Sequence, residues 1–143
     1  MDHERLLLFW LRIVGSASLL ALVFVPFPYS GMDAIHRALG MGELPNEPVV
    51  LYLARSTSAF YALMGGLMWV LSFDMRRHRA VLVYLGAALT AFGVVLTVVD
   101  WVEGLPMFWK LGEGPADIVI GLIILLLGRG LGDETSAGAS TEE

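Results

Sequence analysis

Four apolar runs dominate this chain of 143 residues, each about as long as the 20 residues a helix needs to cross a hydrocarbon core of about 30 Å. They cover 6–25, 49–73, 80–101 and 115–131. In hydrocarbon a backbone must satisfy its own N–H and C=O groups, so runs of this length read as transmembrane helices. The expected fold class is all-α, an integral membrane four-helix bundle. With 57% hydrophobic and 16% charged residues, the chain is more apolar than soluble domains, where about a quarter of residues are charged. The breaks between runs fit. "PFPYSG" carries two prolines that stop the first helix, "DMRRHR" ends the second and "DWVEGLP" the third. "GEGPAD" is expected to open the fourth, with Pro115 in its first turn and Asp117 near the positive end of the helix dipole. The first run reads as a span and not as a cleaved signal, because "MDHER" is a weakly basic start and Arg12 interrupts the apolar stretch. The domain organisation expected is one transmembrane domain over 1–131 and an acidic, disordered cytoplasmic tail over 132–143.

Basic residues set the expected orientation. With both termini cytoplasmic, the inner side would hold Arg5, Arg76, Arg77, Arg79 and Arg129, against Arg37 and Lys110 outside. Absent residues exclude chemistry. Without cysteine there are no disulfides, thiolate metal sites or thiol nucleophiles. The histidines are His3, His36 and His78, with no two at bundle depth to hold a haem. No metal and no cofactor are therefore expected. "MGG", "GEG" and "GRGLG" follow no strand, so they read as packing or helix-end glycines rather than phosphate loops. A net charge of -5 without any basic stripe argues against nucleic acid as a partner.

The candidate site begins with Arg55, a permanent cation inside the second run. In a four-span topology Arg55, Asp100 and Asp117 lie toward the same outer side. Helical spacing puts Arg55 on a face with Ser58, Ala59, Ala62 and Gly66. It puts Asp100 with Thr97, Gly93, Thr90 and Gly86, and Asp117 with Gly121 and Gly128. Transmembrane helices approach one another on small-residue faces, so all three charges are expected to point into the bundle. A lone charge at membrane depth costs about 2.5 to 3.5 kcal/mol on insertion scales, which favours pairing Arg55 with Asp100 or Asp117, with Glu103 and Glu113 as further acceptors. Such a cluster reads either as a structural ion pair fixing helix register or as a polar pocket that binds a headgroup or relays protons. A third reading lets the charges snorkel to the surface. Arg12 has the same choice between Asp74 and the inner headgroups.

In the first outer loop, Met32, Ile35 and Leu39 form the stripe of a short amphipathic helix ended by Gly40. That helix would bring His36, a candidate base or ligand, near the mouth of the pocket.

The runs "IHRALGMGELPNEPVVLYLARSTSAFYALMGG" and "LGEGPADIVIGLIILLL" resemble small bacterial membrane proteins with four spans, and the overall plan is distantly similar to the DoxX-like group. The resemblance implies a bacterial inner-membrane location and an architecture. No cysteine or cofactor motif carries over the group's quinol or sulfur chemistry. The leading expectation is a non-enzymatic multi-pass protein that binds an amphipathic or anionic small molecule, or supports a membrane complex, through Arg55, Asp100, Asp117, Glu113 and His36. The alternatives are an intramembrane isomerase or oxidoreductase acting on a lipid-like substrate, and a purely structural subunit docking a partner or a second copy.

Overall fold

The apolar runs become helices in the computed structural model, which describes residues 3–139, with side chains through residue 132. Among the described residues every regular element is helical: α1 (His3–Leu19), prolonged by a 3-10 segment Leu20–Phe24, then α2 (Tyr29–Ala38), α3 (Pro48–Leu71), α4 (Arg79–Val102) and α5 (Met107–Ala139). The chain divides into two units, one of Ile13–Trp69 and one of Met1–Arg12 with Val70–Glu143.

Among the described residues three helical segments are long and apolar enough to cross a membrane: His3–Phe24, Arg79–Val102 and Met107–Gly132. The fourth expected span, α3, is as long as α4 at 24 residues but is not among them. Its apolar run is diluted where Arg55, Ser56, Thr57 and Ser58 stand between Tyr52 and Tyr61.

The last helix also corrects the sequence reading. It starts at Met107, not near Pro115, because Pro106 supplies the opening turn: its carbonyl accepts from Trp109 and Lys110 at 3.0 and 3.2 Å. Proline suits a helix start, since its missing N–H would go unused there. Pro115 sits inside α5. Glu113 and Asp117 therefore lie well within a helix and not at its dipole end. The helix continues to Ala139, into the segment 132–143 that the sequence set apart as a tail. The rest of that tail, 140–143, lies outside the described residues.

In the second unit α4 and α5 pack antiparallel along small residues in constant register. Gly86 meets Leu125, Thr90 meets Gly121, Gly93 meets Ile118 and Thr97 meets Gly114. The approach is backbone to backbone: a Cβ on Gly86 would stand 2.5 Å from the Leu125 nitrogen, and one on Gly121 2.5 Å from the Thr90 nitrogen. Both threonine hydroxyls donate within α4, Thr90 to Gly86 O and Thr97 to Gly93 O, each at 2.8 Å, so no polar group is stranded in the seam by them. The opposite face of α4 exposes Val81, Tyr84, Phe92, Val95 and Val102. Small and polar residues inside with bulky apolar residues outside is the pattern of helices that pack in lipid, where apolar surface gains nothing by burial. At the far end Leu7, Leu11, Leu82, Ile124 and Leu131 are closely buried. There Arg76 pairs with Glu4 at 2.8 Å, and Arg12 donates to Ser72 at 3.4 Å with its guanidinium 6.0 Å from the Phe73 ring centroid. In the other unit α1 crosses α3 at Gly15 and Gly65, where a Cβ on Gly65 would lie 2.5 Å from Gly15 O.

Candidate functional site

Two places in the fold carry the sequence candidates, one in each unit. The first is a groove of about 530 Å³ in the Ile13–Trp69 unit. Pro48, Leu51, Tyr52, Arg55, Ser56 and Ala59 line it from α3, and Val25 closes it from the segment before α2. These α3 positions recur at helical spacing about Arg55, so one face of α3 forms the wall. Arg55 differs from the expectation of a buried, inward cation: its side chain is exposed, and its Nη2 donates to the Phe27 carbonyl at 3.3 Å. A long side chain can leave the face that its Cα occupies, and a carbonyl in the bend ahead of α2 is within its reach. Of the expected neighbours, Ala59 shares the groove, while Ser58 turns back to Ala54 O at 2.8 Å. The lining holds one cation and no acid, with hydroxyls from Tyr52 and Ser56 against apolar walls.

α2 is the expected amphipathic helix, and its end is a glycine cap. Gly40 adopts φ 75°, a left-handed conformation that suits glycine, and the amides of Gly40 and Met41 donate to Arg37 O and His36 O. The polar face of α2 then clamps the following loop. Asp33 accepts from the Leu44 amide at 2.8 Å and from Arg37 Nε at 2.9 Å, and Tyr29 donates to Leu44 O at 2.6 Å. Arg37 also pairs with Glu43 at 3.3 Å. His36 joins this clamp through Nδ1, 3.0 Å from Gly42 O. That contact ties the ring to the loop after α2. The Leu44 amide, and after it Arg37, hold the Asp33 carboxyl below the usual carboxylate range. The linkage sign follows. Because the folded value is lowered, the clamp is at full strength above the ordinary Asp value of about 3.9 and weakens as pH falls through the lower folded value. Acidification below about pH 3.9 is expected to lower the protection of the Leu44 amide, taken relative to its intrinsic exchange rate at each pH, more than that of α4. Asp33→Asn is expected to remove that pH dependence, which exchange measured across a pH series would check.

The second place is the turn end of the α4–α5 hairpin. Asp100 is 2% exposed, and its Oδ2 has no hydrogen-bond partner among the described residues. It lies on α4 between the Thr97–Gly114 contact and Trp101, whose ring sits 4.6 Å from Lys110 Nζ. Its backbone carbonyl closes the helix: the Leu105 amide donates to it at 3.1 Å, and Gly104 at φ 69° makes the turn. The small face expected for Asp100 is the face it occupies. On α5, Glu113 accepts from Trp109 Nε1 one turn away, and Asp117, half-buried, follows Glu113 by one turn. Asp100, Glu113 and Asp117 thus belong to one unit, and Arg55 and His36 to the other.

Sequence reasoning missed the groove residues Val25, Pro48, Leu51, Tyr52 and Ser56. The signal for Leu51 and Tyr52 was there, one turn before Arg55 on the same face. Val25 and the Phe27 carbonyl depend on the path of the 20–28 segment, which periodicity does not report. No group of three or more His, Asp or Glu side chains suited to a metal occurs among the described residues. No protein-family model, curated protein or solved structure matches this chain.

Proposed function

We propose that this chain is a small multi-pass protein of the bacterial inner membrane that binds an amphipathic anionic molecule, with Arg55 as the anion anchor. The observation that carries the reading is the groove at Arg55: one guanidinium set among mostly apolar walls, with no carboxylate in the lining and the Ser56 hydroxyl already given to Leu53 O. Such a surface accepts a molecule with a charged head and an apolar body, since the head gains charge-assisted hydrogen bonds and the body covers the walls. In this reading α3 is the fourth span of a four-helix bundle, and both termini are cytoplasmic, in line with the arginines at 76, 77, 79 and 129. The protein acts by binding and not by catalysis, and its small-residue faces leave room for a second copy or a complex partner.

Native mass spectrometry from mild detergent tests this, comparing wild type with Arg55→Ala. The wild type is expected to carry a discrete anionic amphiphile that the folded variant loses. A hydrogen bond to a charged group contributes about 1.5–3 kcal/mol, so affinity should fall roughly 10- to 100-fold. Retention of the same molecule by the variant would overturn the reading. If neither form carries one, and Asp100→Asn and Asp117→Asn lose assembly just as Arg55→Ala does, the charges serve folding instead.

A further inference from the structure

We infer that α3 is a conditional span, crossing the bilayer only when an anionic glycerophospholipid occupies the groove at Arg55. This rests on the reading of that groove as an anion site and adds its ligand class and a consequence.

Three observations meet. First, α3 and α4 are both 24 residues long, yet only α4 is apolar enough by composition to cross. The deficit centres on residues 55–58, and the serines there are already served: Ser56 donates to Leu53 O at 3.1 Å and Ser58 to Ala54 O at 2.8 Å. Arg55, the one charge in the stretch, is the largest remaining cost. Second, within its own unit the guanidinium has one recorded acceptor, the Phe27 carbonyl at 3.3 Å, for a group that carries five N–H donors. Third, the groove beside it is apolar apart from Arg55 and the Tyr52 and Ser56 hydroxyls.

A free inorganic anion would satisfy the guanidinium but leave Val25, Leu51 and Ala59 bare. A lipid with a net negative head satisfies both, and the bilayer supplies it from the side. Arg55 stands seven residues into α3, about 10 Å from its start at 1.5 Å per residue. A headgroup phosphate drawn slightly inward can meet a side chain that reaches outward. Neutralising Arg55 removes the largest penalty against insertion. Lipid composition would thereby decide whether the chain crosses three or four times, and so whether its termini share a side.

Hydrogen exchange of the full chain in nanodiscs reads this directly. One set of discs contains phosphatidylcholine alone, the other equal parts phosphatidylcholine and phosphatidylglycerol. Amides over 51–63 are expected to exchange about tenfold more slowly with phosphatidylglycerol, a factor below the helix-centre penalty because Arg55 lies toward one end. The α4–α5 hairpin, protected equally in both, reports that the protein is folded. Arg55→Leu should protect 51–63 in both lipids, whereas mere loss of a structural contact would deprotect them. Equal protection of wild-type α3 in both discs, or persistent lipid dependence in Arg55→Leu, would overturn the inference. If native mass spectrometry still finds an anionic lipid lost in Arg55→Ala, the binding reading survives that failure. If it finds none, both fall.

Discussion

Gly121→Leu is expected to break the α4–α5 hairpin, with an effect as large as a single substitution in that seam can have. The atoms in the way are backbone: a Cβ at 121 would stand 2.5 Å from the Thr90 nitrogen and 2.7 Å from Gly86 O. A flexible side chain could swing aside, but here two helix axes must separate. Overpacking a well-packed core costs about 1–3 kcal/mol and sometimes more; a leucine wedged between two backbones belongs at or above the top of that range. Separation also forfeits the neighbouring contacts of Gly86, Gly93 and Gly114, since all lie along one rigid seam. Thermal unfolding in detergent, followed by helical circular dichroism, should show a large fall in midpoint. Gly66→Leu is the control, because nothing lies within 4 Å of a Cβ there, and it should unfold close to wild type.

Asp100→Ala should move stability the other way. Wild type buries a carboxyl whose Oδ2 has no partner among the described residues, at 2% exposure. An unsatisfied buried polar group costs about 1–3 kcal/mol, more when charged, and alanine removes it. Alanine also favours helix and fits the small face that Gly93 and Thr97 already form. Against this stands a small cavity, which offsets part of the gain. A net stabilisation of about 1–2 kcal/mol is expected in the same unfolding assay. Destabilisation would mean that Asp100 gains a partner in the membrane. A residue kept at a cost to stability is the kind of position where function is found, so the variant should be carried through the lipid-binding assay as well.

Some of this was legible in the sequence for stated reasons. Much of the seam follows from seven-residue spacings, Gly86 to Gly93 to Asp100 on one helix and Gly121 to Gly128 on the other; Gly114 was hidden, because the fourth helix was expected to open at Pro115. Spacing survives whatever the rest of the chain does, so Gly86, Gly93, Thr90, Thr97 and Gly121 were read on the faces where the two helices meet. The amphipathic α2 and its Gly40 stop were legible for the same reason. Other features were hidden. Pro115 looked like a helix start because proline usually is one, but Pro106 already plays that part. The direction of Arg55 was hidden because its acceptor is a backbone carbonyl, and the path of residues 20–28 leaves no periodic trace. The loop clamp was hidden likewise: Tyr29, Asp33 and His36 all engage main-chain groups of 42–44, which any residue type provides.

The glycine seam has one further consequence. A pattern that repeats every seven residues is ambiguous: sliding α5 by seven positions along α4 would again set glycine against small residues. The seam gives the hairpin its closeness but cannot choose its alignment. That choice falls to the short connection 103–106, where Gly104 at φ 69° and the Leu105-to-Asp100 hydrogen bond fix where α4 stops and α5 may begin. The turn serves as the ruler. Lengthening it would leave every glycine contact available while releasing the measure that selects among them, so the hairpin could settle in more than one alignment without changing a residue that packs.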